Sequence, residues 1–185
     1  MARIPEVRRE DLPADQQHHF DYIAGNRPHV SGPFPLLLNS PDVASRIAHV
    51  GTYIRFENSL PPQVRELAIL TVARAWDCQY EWTAHQPIAE QAGVRPEAIA
   101  AVRERTAPQG LTEQERIIFS YVDALIRTRR VPNDVFTQAL EWLGRQGVTD
   151  LTATAGYYSL LACTLDAFAV MPPPETPPLL PDAAY

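Results

Sequence analysis

Apolar residues recur three and four positions apart along almost the whole chain, the spacing that lines one face of an α-helix. The strict alternation of a half-buried strand is nearly absent. The pattern predicts helices over residues 14–25 and 41–56, with Ser40 and Pro41 as the cap and first helical residue of the second. Ser59-Leu60-Pro61-Pro62 opens a helix to residue 76. Asp77 is expected to cap the next helix, which runs to 91 and stops at Gly93. Pro87 is expected to kink that helix just after His85. Further helices are predicted from Pro96 to 105, from a Thr112/Glu115 capping box onward, over 133–144 and over 149–170. Gly144 and Gly147 bound the turn between the last two. Residues 26–40, broken twice by glycine and proline, read as a loop packed by its Phe and Leu residues. The predicted fold class is all-α, a single-domain bundle of seven or eight helices.

Proline marks the ends of this layout. An N-terminal helical arm and proline-rich loop is expected over 1–40, a helical core over 41–171 and a proline-rich tail over 172–185. The tail's PPPETPPLLP run favours an extended course, along the domain or toward a neighbouring subunit, or else a loosely ordered end. The last predicted helix, TATAGYYSLLACTLDAFAV, is apolar nearly all round, which suits the centre of a bundle or a subunit interface.

Charge and composition narrow the partners. With 45% hydrophobic and 21% charged residues the chain has the make-up of a soluble globular protein. A net charge of −6 argues against nucleic acid, because phosphate binding needs a basic face. The one basic run, RTRR at 127–130, falls at a helix end where cations meet the helix dipole. No stretch reaches the length of a membrane span, and the N-terminus lacks the apolar core of a secretory signal. Cys78 and Cys163 give no disulfide framework. The cytoplasm is the expected compartment.

Candidate chemistry concentrates between residues 66 and 93. Cys78, Glu81, Trp82 and His85 occupy positions i, i+3, i+4 and i+7, one face of a helix, and Glu66 leads the apolar helix before it. A Glu–His pair four residues apart orients the imidazole and is the minimum for general acid–base work, although many such pairs serve structure alone. Glu66 is either a first-turn dipole partner or points toward the neighbouring helix. Cys78 is placed for a dipole-stabilised thiolate beside His85, or packs as an inert thiol; Cys163 is expected to pack. Glu66, Cys78, Glu81 and His85 are thus the candidate catalytic residues. Tyr80, Trp82, Arg55 and His49 are the candidate substrate-binding residues. Tyr80 or Arg55 would hold an oxyanion or carboxylate, His49 would line a pocket, and packing is the main expectation for Trp82. His18 and His19 are expected in solvent and His29 in a loop. The ligand set is too mixed for a structural zinc site, and no metal is expected. The absence of a glycine-rich phosphate loop and of a G-x-S-x-G elbow removes the common nucleotide-dependent and serine-hydrolase readings.

Through R-E-L-A-I-L at 65–70, C-x-Y-E-W-x-x-H at 78–85 and A-x-x-A-G ending at Gly93, residues 61–105 resemble the carboxymuconolactone decarboxylase / alkylhydroperoxidase D-like superfamily. The resemblance implies an all-α subunit that forms homo-oligomers, commonly dimers, trimers or hexamers, with sites near subunit contacts. In the peroxidase-type branch a glutamate precedes C-x-x-C-x-x-x-H. Here Glu66, Cys78 and His85 match, while Glu81 stands at the second cysteine. No dithiol can form within the motif, and only a one-cysteine route through a sulfenic acid on Cys78 survives. The decarboxylase-type branch needs no cysteine, metal or organic cofactor and acts on small carboxylated lactones by proton transfer.

The expected function is therefore a cofactor-independent acid–base enzyme, of decarboxylase, lyase or isomerase type, acting on a small carboxylated lactone or related oxygenated molecule. The alternatives are a one-cysteine thiol peroxidase and a non-catalytic oligomeric helical protein. The expected partners are a small-molecule substrate and further copies of the chain, with neither nucleic acid nor membrane.

Overall fold

A computed structural model of the 185-residue chain describes residues 2–25, 29–173, 176 and 180–181. Residues 26–28 of the expected loop, and 174–175, 177–179 and 182–185 of the expected tail, lie outside the described residues. Among the described residues there are eight α-helices and no strand: α1 (Gln17–Gly25), α2 (Phe34–Leu37), α3 (Pro41–Thr52), α4 (Pro62–Ala75), α5 (Gln79–Gln91), α6 (Pro96–Arg103), α7 (Glu113–Thr128) and α8 (Asn133–Ala167). The all-α expectation holds. A π-helical turn, Tyr53–Glu57, continues α3. The short α2 falls inside the expected loop, where Pro35 suits a first helical turn and Phe34 and Leu36 are buried. No helix among the described residues is long and apolar enough to cross a membrane.

The chain forms two compact units, divided between Asn58 and Ser59 and again between Ala162 and Cys163. The first comprises Met1–Asn58 with Cys163–Met171. Leu12, Ile23, Phe34, Leu38, Ala44 and Ala48 make its buried core, and Arg9 clamps Asp21 through two hydrogen bonds of 2.7 and 3.0 Å.

The second unit, Ser59–Ala162 with Pro172–Tyr185, is organised around α4, which packs against α5, α6 and α7. Pro61 and Pro62 start α4, where a missing N–H costs nothing. From Leu67 to Val72 every residue is buried, and each large aliphatic side chain hidden this way stabilises the fold by roughly 1.5–3 kcal/mol. A helix buried on all sides carries polar groups inward only if they are paired, and Glu66 and Arg74, both buried in α4, meet that condition.

Two expectations change. Asp77 does not cap α5; Cys78 does, with extended backbone at φ −76° and ψ 95°. Asp77 instead closes α4 in the left-handed region at φ 53°, which aspartate tolerates better than most residues. Its carboxylate is committed to Arg74 and to Arg105. The turn expected between Gly144 and Gly147 shrinks to one residue. Gly144, at φ 69° and ψ 179°, takes a conformation nearly confined to glycine, and the helix resumes immediately. Gly147 lies so close to Leu143 that an added Cβ would sit 2.7 Å from the leucine Cβ. In the second unit α8 buries Leu151, Ala155, Tyr157, Tyr158 and Leu161 but leaves Thr152, Ala153, Gly156 and Leu160 outward. The helix buried all round is α4 rather than α8.

Candidate functional site

Helix α4 supplies Glu66 and α5 supplies Glu81 and His85, all three buried in the second unit. His85 Nδ1 lies 2.8 Å from Glu66 Oε2, and Nε2 lies 3.6 Å from Glu81 Oε2. A carboxylate at Glu66 accepts the Nδ1–H, which fixes the ring tautomer and leaves the Nε2 lone pair facing Glu81. The second distance is too long for a hydrogen bond and within reach of an ion pair. The arrangement is an imidazole anchored at one nitrogen and open to proton exchange at the other.

Two neighbours of this trio, and one further buried polar residue of α5, were not legible as site residues. Arg65 Nε sits 3.4 Å from Glu66 Oε1, so the carboxylate is held from both ends. Tyr158 of α8 meets the His85 ring edge-on, with centroids 5.0 Å apart, and itself packs edge-on against Tyr157. Gln79, the first residue of α5, is buried. Its Nε2 donates to the Leu180 carbonyl at 2.8 Å, and its Oε1 accepts the Leu180 N–H at 3.2 Å. Arg65 and Gln79 stand inside the R-E-L-A-I-L and C-x-Y-E-W-x-x-H motifs. Nothing in the spacing pointed to Tyr158.

Cys78 is buried at the α5 cap; its N–H donates to the Ala73 carbonyl at 2.8 Å. It shares a helix face with Glu81 and His85. Trp82 is fully buried and donates its indole N–H to Gln86 Oε1 at 2.8 Å, the packing role expected of it. Tyr80 is half-buried on α5. α5 runs through Pro87, whose missing N–H leaves the Thr83 carbonyl without its usual helical donor.

His49 and Arg55 belong to the first unit and make their contacts there. His49 Nδ1 is 2.8 Å from the Tyr22 hydroxyl, beside an open concave surface that also holds His18, His19 and Arg46. The Arg55 guanidinium lies 5.2 Å over the Phe56 ring. Cys163, expected to pack, is instead exposed; what desolvation its thiol meets, and then the Asp166 charge, push its pKa up from the usual range. Among the described residues no three His, Cys, Asp or Glu side chains are grouped to hold a metal ion.

Against known proteins, residues 41–124 match the model of the carboxymuconolactone decarboxylase family. No curated protein matches the chain in sequence. Solved structures share its fold. A peroxidase-related protein from Ralstonia eutropha JMP134, described as an alkylhydroperoxidase AhpD core, superposes with a TM-score of 0.76 at 18% identity, covering 94% of this chain and 93% of its own. The debrominase Bmp8, in a cysteine-to-alanine form bound to 2,3,4-tribromopyrrole, gives 0.72 at 14% identity, covering 91% of this chain and 92% of its own. A protein of unknown function from Agrobacterium tumefaciens, suggested to be an AhpD of antioxidant defence, gives 0.68 at 18% identity, covering 76% of this chain and 97% of its own.

Proposed function

Because the chain belongs to the carboxymuconolactone decarboxylase / alkylhydroperoxidase D-like superfamily, with residues 41–124 as the matched part, we propose that it is an acid–base enzyme acting on a small carboxylated lactone or a related oxygenated molecule. The observation that carries this reading is the buried Glu66–His85–Glu81 line, with its 2.8 Å anchor and 3.6 Å gap. His85 is the proton carrier at Nε2. Glu66, steadied by Arg65, holds the ring in one tautomer. Glu81 exchanges the proton with Nε2 or with the substrate. In a decarboxylation the electron pair of the breaking C–CO₂⁻ bond passes into the conjugated carbonyl. The resulting enolate carbon takes a proton from Nε2 of the imidazolium, a proton first passed to that nitrogen by Glu81. Loss of it leaves the neutral Nδ1–H tautomer, and Glu81 regains its proton from solvent. The same pair run in reverse serves proton abstraction beside a carbonyl. Tyr80, half-buried on α5, is the proposed donor to the enolate oxygen. No cofactor enters this scheme, and the cytoplasm is the proposed compartment.

The test is turnover of carboxylated lactones and β-keto acids by the wild type, His85→Ala and Glu66→Gln. General acid–base catalysis contributes roughly 10²–10⁴-fold, so both variants are expected to lose at least about 10² in kcat/KM. Wild-type turnover in both would end the reading.

A second reading is favoured by one observation, the lone motif cysteine at the α5 cap on the same helix face as Glu81 and His85. In it the Cys78 thiolate attacks the outer oxygen of a hydroperoxide, forming a sulfenic acid and releasing an alcohol, and an external thiol reductant restores the cysteine with loss of water. Reversible loss of one thiol with hydroperoxide, absent in Cys78→Ser, would favour this reading over the first.

A further inference from the structure

We propose that a pocket between α4, α6 and α7, bounded by Arg74, Arg105 and Arg127, binds a small organic carboxylate. Its volume is about 270 Å³, just below the usual range of ligand pockets, which suits a small ligand. Phe119 and Val102 form an apolar wall, and Asp123 is the one carboxylate in the lining.

The donor accounting carries the proposal. Arg74 is buried and gives Nε to the Arg103 carbonyl at 2.8 Å and Nη1 to Asp77. Arg105 meets both Asp77 oxygens with Nη2 alone, at 2.7 and 2.6 Å. Arg127 gives Nε to Asp123 at 2.7 Å. Among the described residues, Nη2 of Arg74, Nε and Nη1 of Arg105, and both Nη atoms of Arg127 have no protein acceptor. Three guanidinium charges meet the carboxylates of Asp77 and Asp123, which leaves an excess of one positive charge. The two open Nη atoms of Arg127 form an end-on fork that matches a carboxylate's two oxygens, and Arg74 and Arg105 add single donors. The apolar wall favours an anion with a hydrocarbon body over an inorganic one.

None of the lining residues is Glu66, Cys78, Glu81 or His85, so the occupant is an effector rather than the reacting molecule. Its route to the acid–base residues is short. Asp77, shared by Arg74 and Arg105, holds the junction of α4 and α5 and directly precedes Cys78. A carboxylate that engages Arg105 competes for this clamp.

The test is a two-dimensional NMR titration of the full chain with benzoate and, separately, with inorganic phosphate at low salt. The expected result is saturable benzoate binding, with shifts centred on Phe119 and the residues around it. Phosphate binds more weakly. Losing one charge-assisted contact weakens benzoate about tenfold in Arg127→Gln and in Arg105→Gln. Arg127 is half-exposed, so its variant keeps the fold, which the same spectrum verifies. His85→Gln leaves the affinity unchanged. The proposal is overturned by non-saturable shifts, by undiminished affinity in folded Arg127→Gln, by phosphate binding as tightly as benzoate, or by loss of binding in His85→Gln.

Discussion

His85 Nδ1 and Glu66 Oε2 meet at 2.8 Å across two helices, nineteen residues apart, with both side chains buried. Removing one member of a buried pair leaves the other uncompensated, at a cost of about 3–5 kcal/mol. Glu66→Ala is therefore expected to lower unfolding free energy by about 3 kcal/mol, and His85→Ala by a similar amount, with the double variant losing much less than the sum. Urea denaturation of the four proteins in the cycle measures the coupling. Additive losses would contradict the pairing.

Glu81 stands differently, because its 3.6 Å separation from Nε2 is no hydrogen bond. Glu81→Gln is expected to cost less stability than Glu66→Gln while lowering kcat more than it raises KM, since its role falls in proton transfer. Thermal melts beside steady-state kinetics separate the two effects. A melting loss equal to that of Glu66→Gln would place Glu81 in the scaffold.

Glu115 provides a pH prediction away from the site. Burial raises its pKa, but Arg95 at 2.6 Å and the Thr112 cap outweigh that, and the net shift is below the ordinary 4.5. A carboxyl lowered in the folded state stabilises the fold above its unfolded pKa, and that contribution fades as pH falls through the lower folded value. The melting temperature is thus expected to fall below about pH 4.5, and to fall less steeply in Glu115→Gln. The pair is partly exposed, so the difference is modest. Identical pH profiles would contradict it.

At Gly147, where an added Cβ would sit 2.7 Å from the Leu143 Cβ, alanine must push the two turns apart. Gly147→Ala is expected to destabilise by about 1–3 kcal/mol, as overpacking does, despite alanine's better helix propensity. A stabilised variant in chemical denaturation would contradict the close approach.

What was legible in the sequence followed from local rules. Helix spacing placed Cys78, Glu81 and His85 on one face, and the Thr112/Glu115 capping box and the Gly93 stop formed as their residue types dictate. What was not legible depended on where distant helices lie. Asp77 has a capping residue's chemistry, yet Arg105, twenty-eight positions on, draws its carboxylate away, and the cap passes to Cys78. Tyr158 reaches the His85 ring from α8, seventy-three positions on in the chain, a relation no periodicity encodes. For α8, apolar composition suggested burial all round, but small side chains also cover an outward face, and the central place went to α4.

The most direct test of the central claim is kcat/KM for release of CO₂ from carboxylated lactones and β-keto acids, compared between His85→Ala and Cys78→Ser. The account predicts a loss of at least about 10² in His85→Ala and near wild-type turnover in Cys78→Ser. Full activity in His85→Ala, or activity that disappears with the Cys78 thiol, would contradict it.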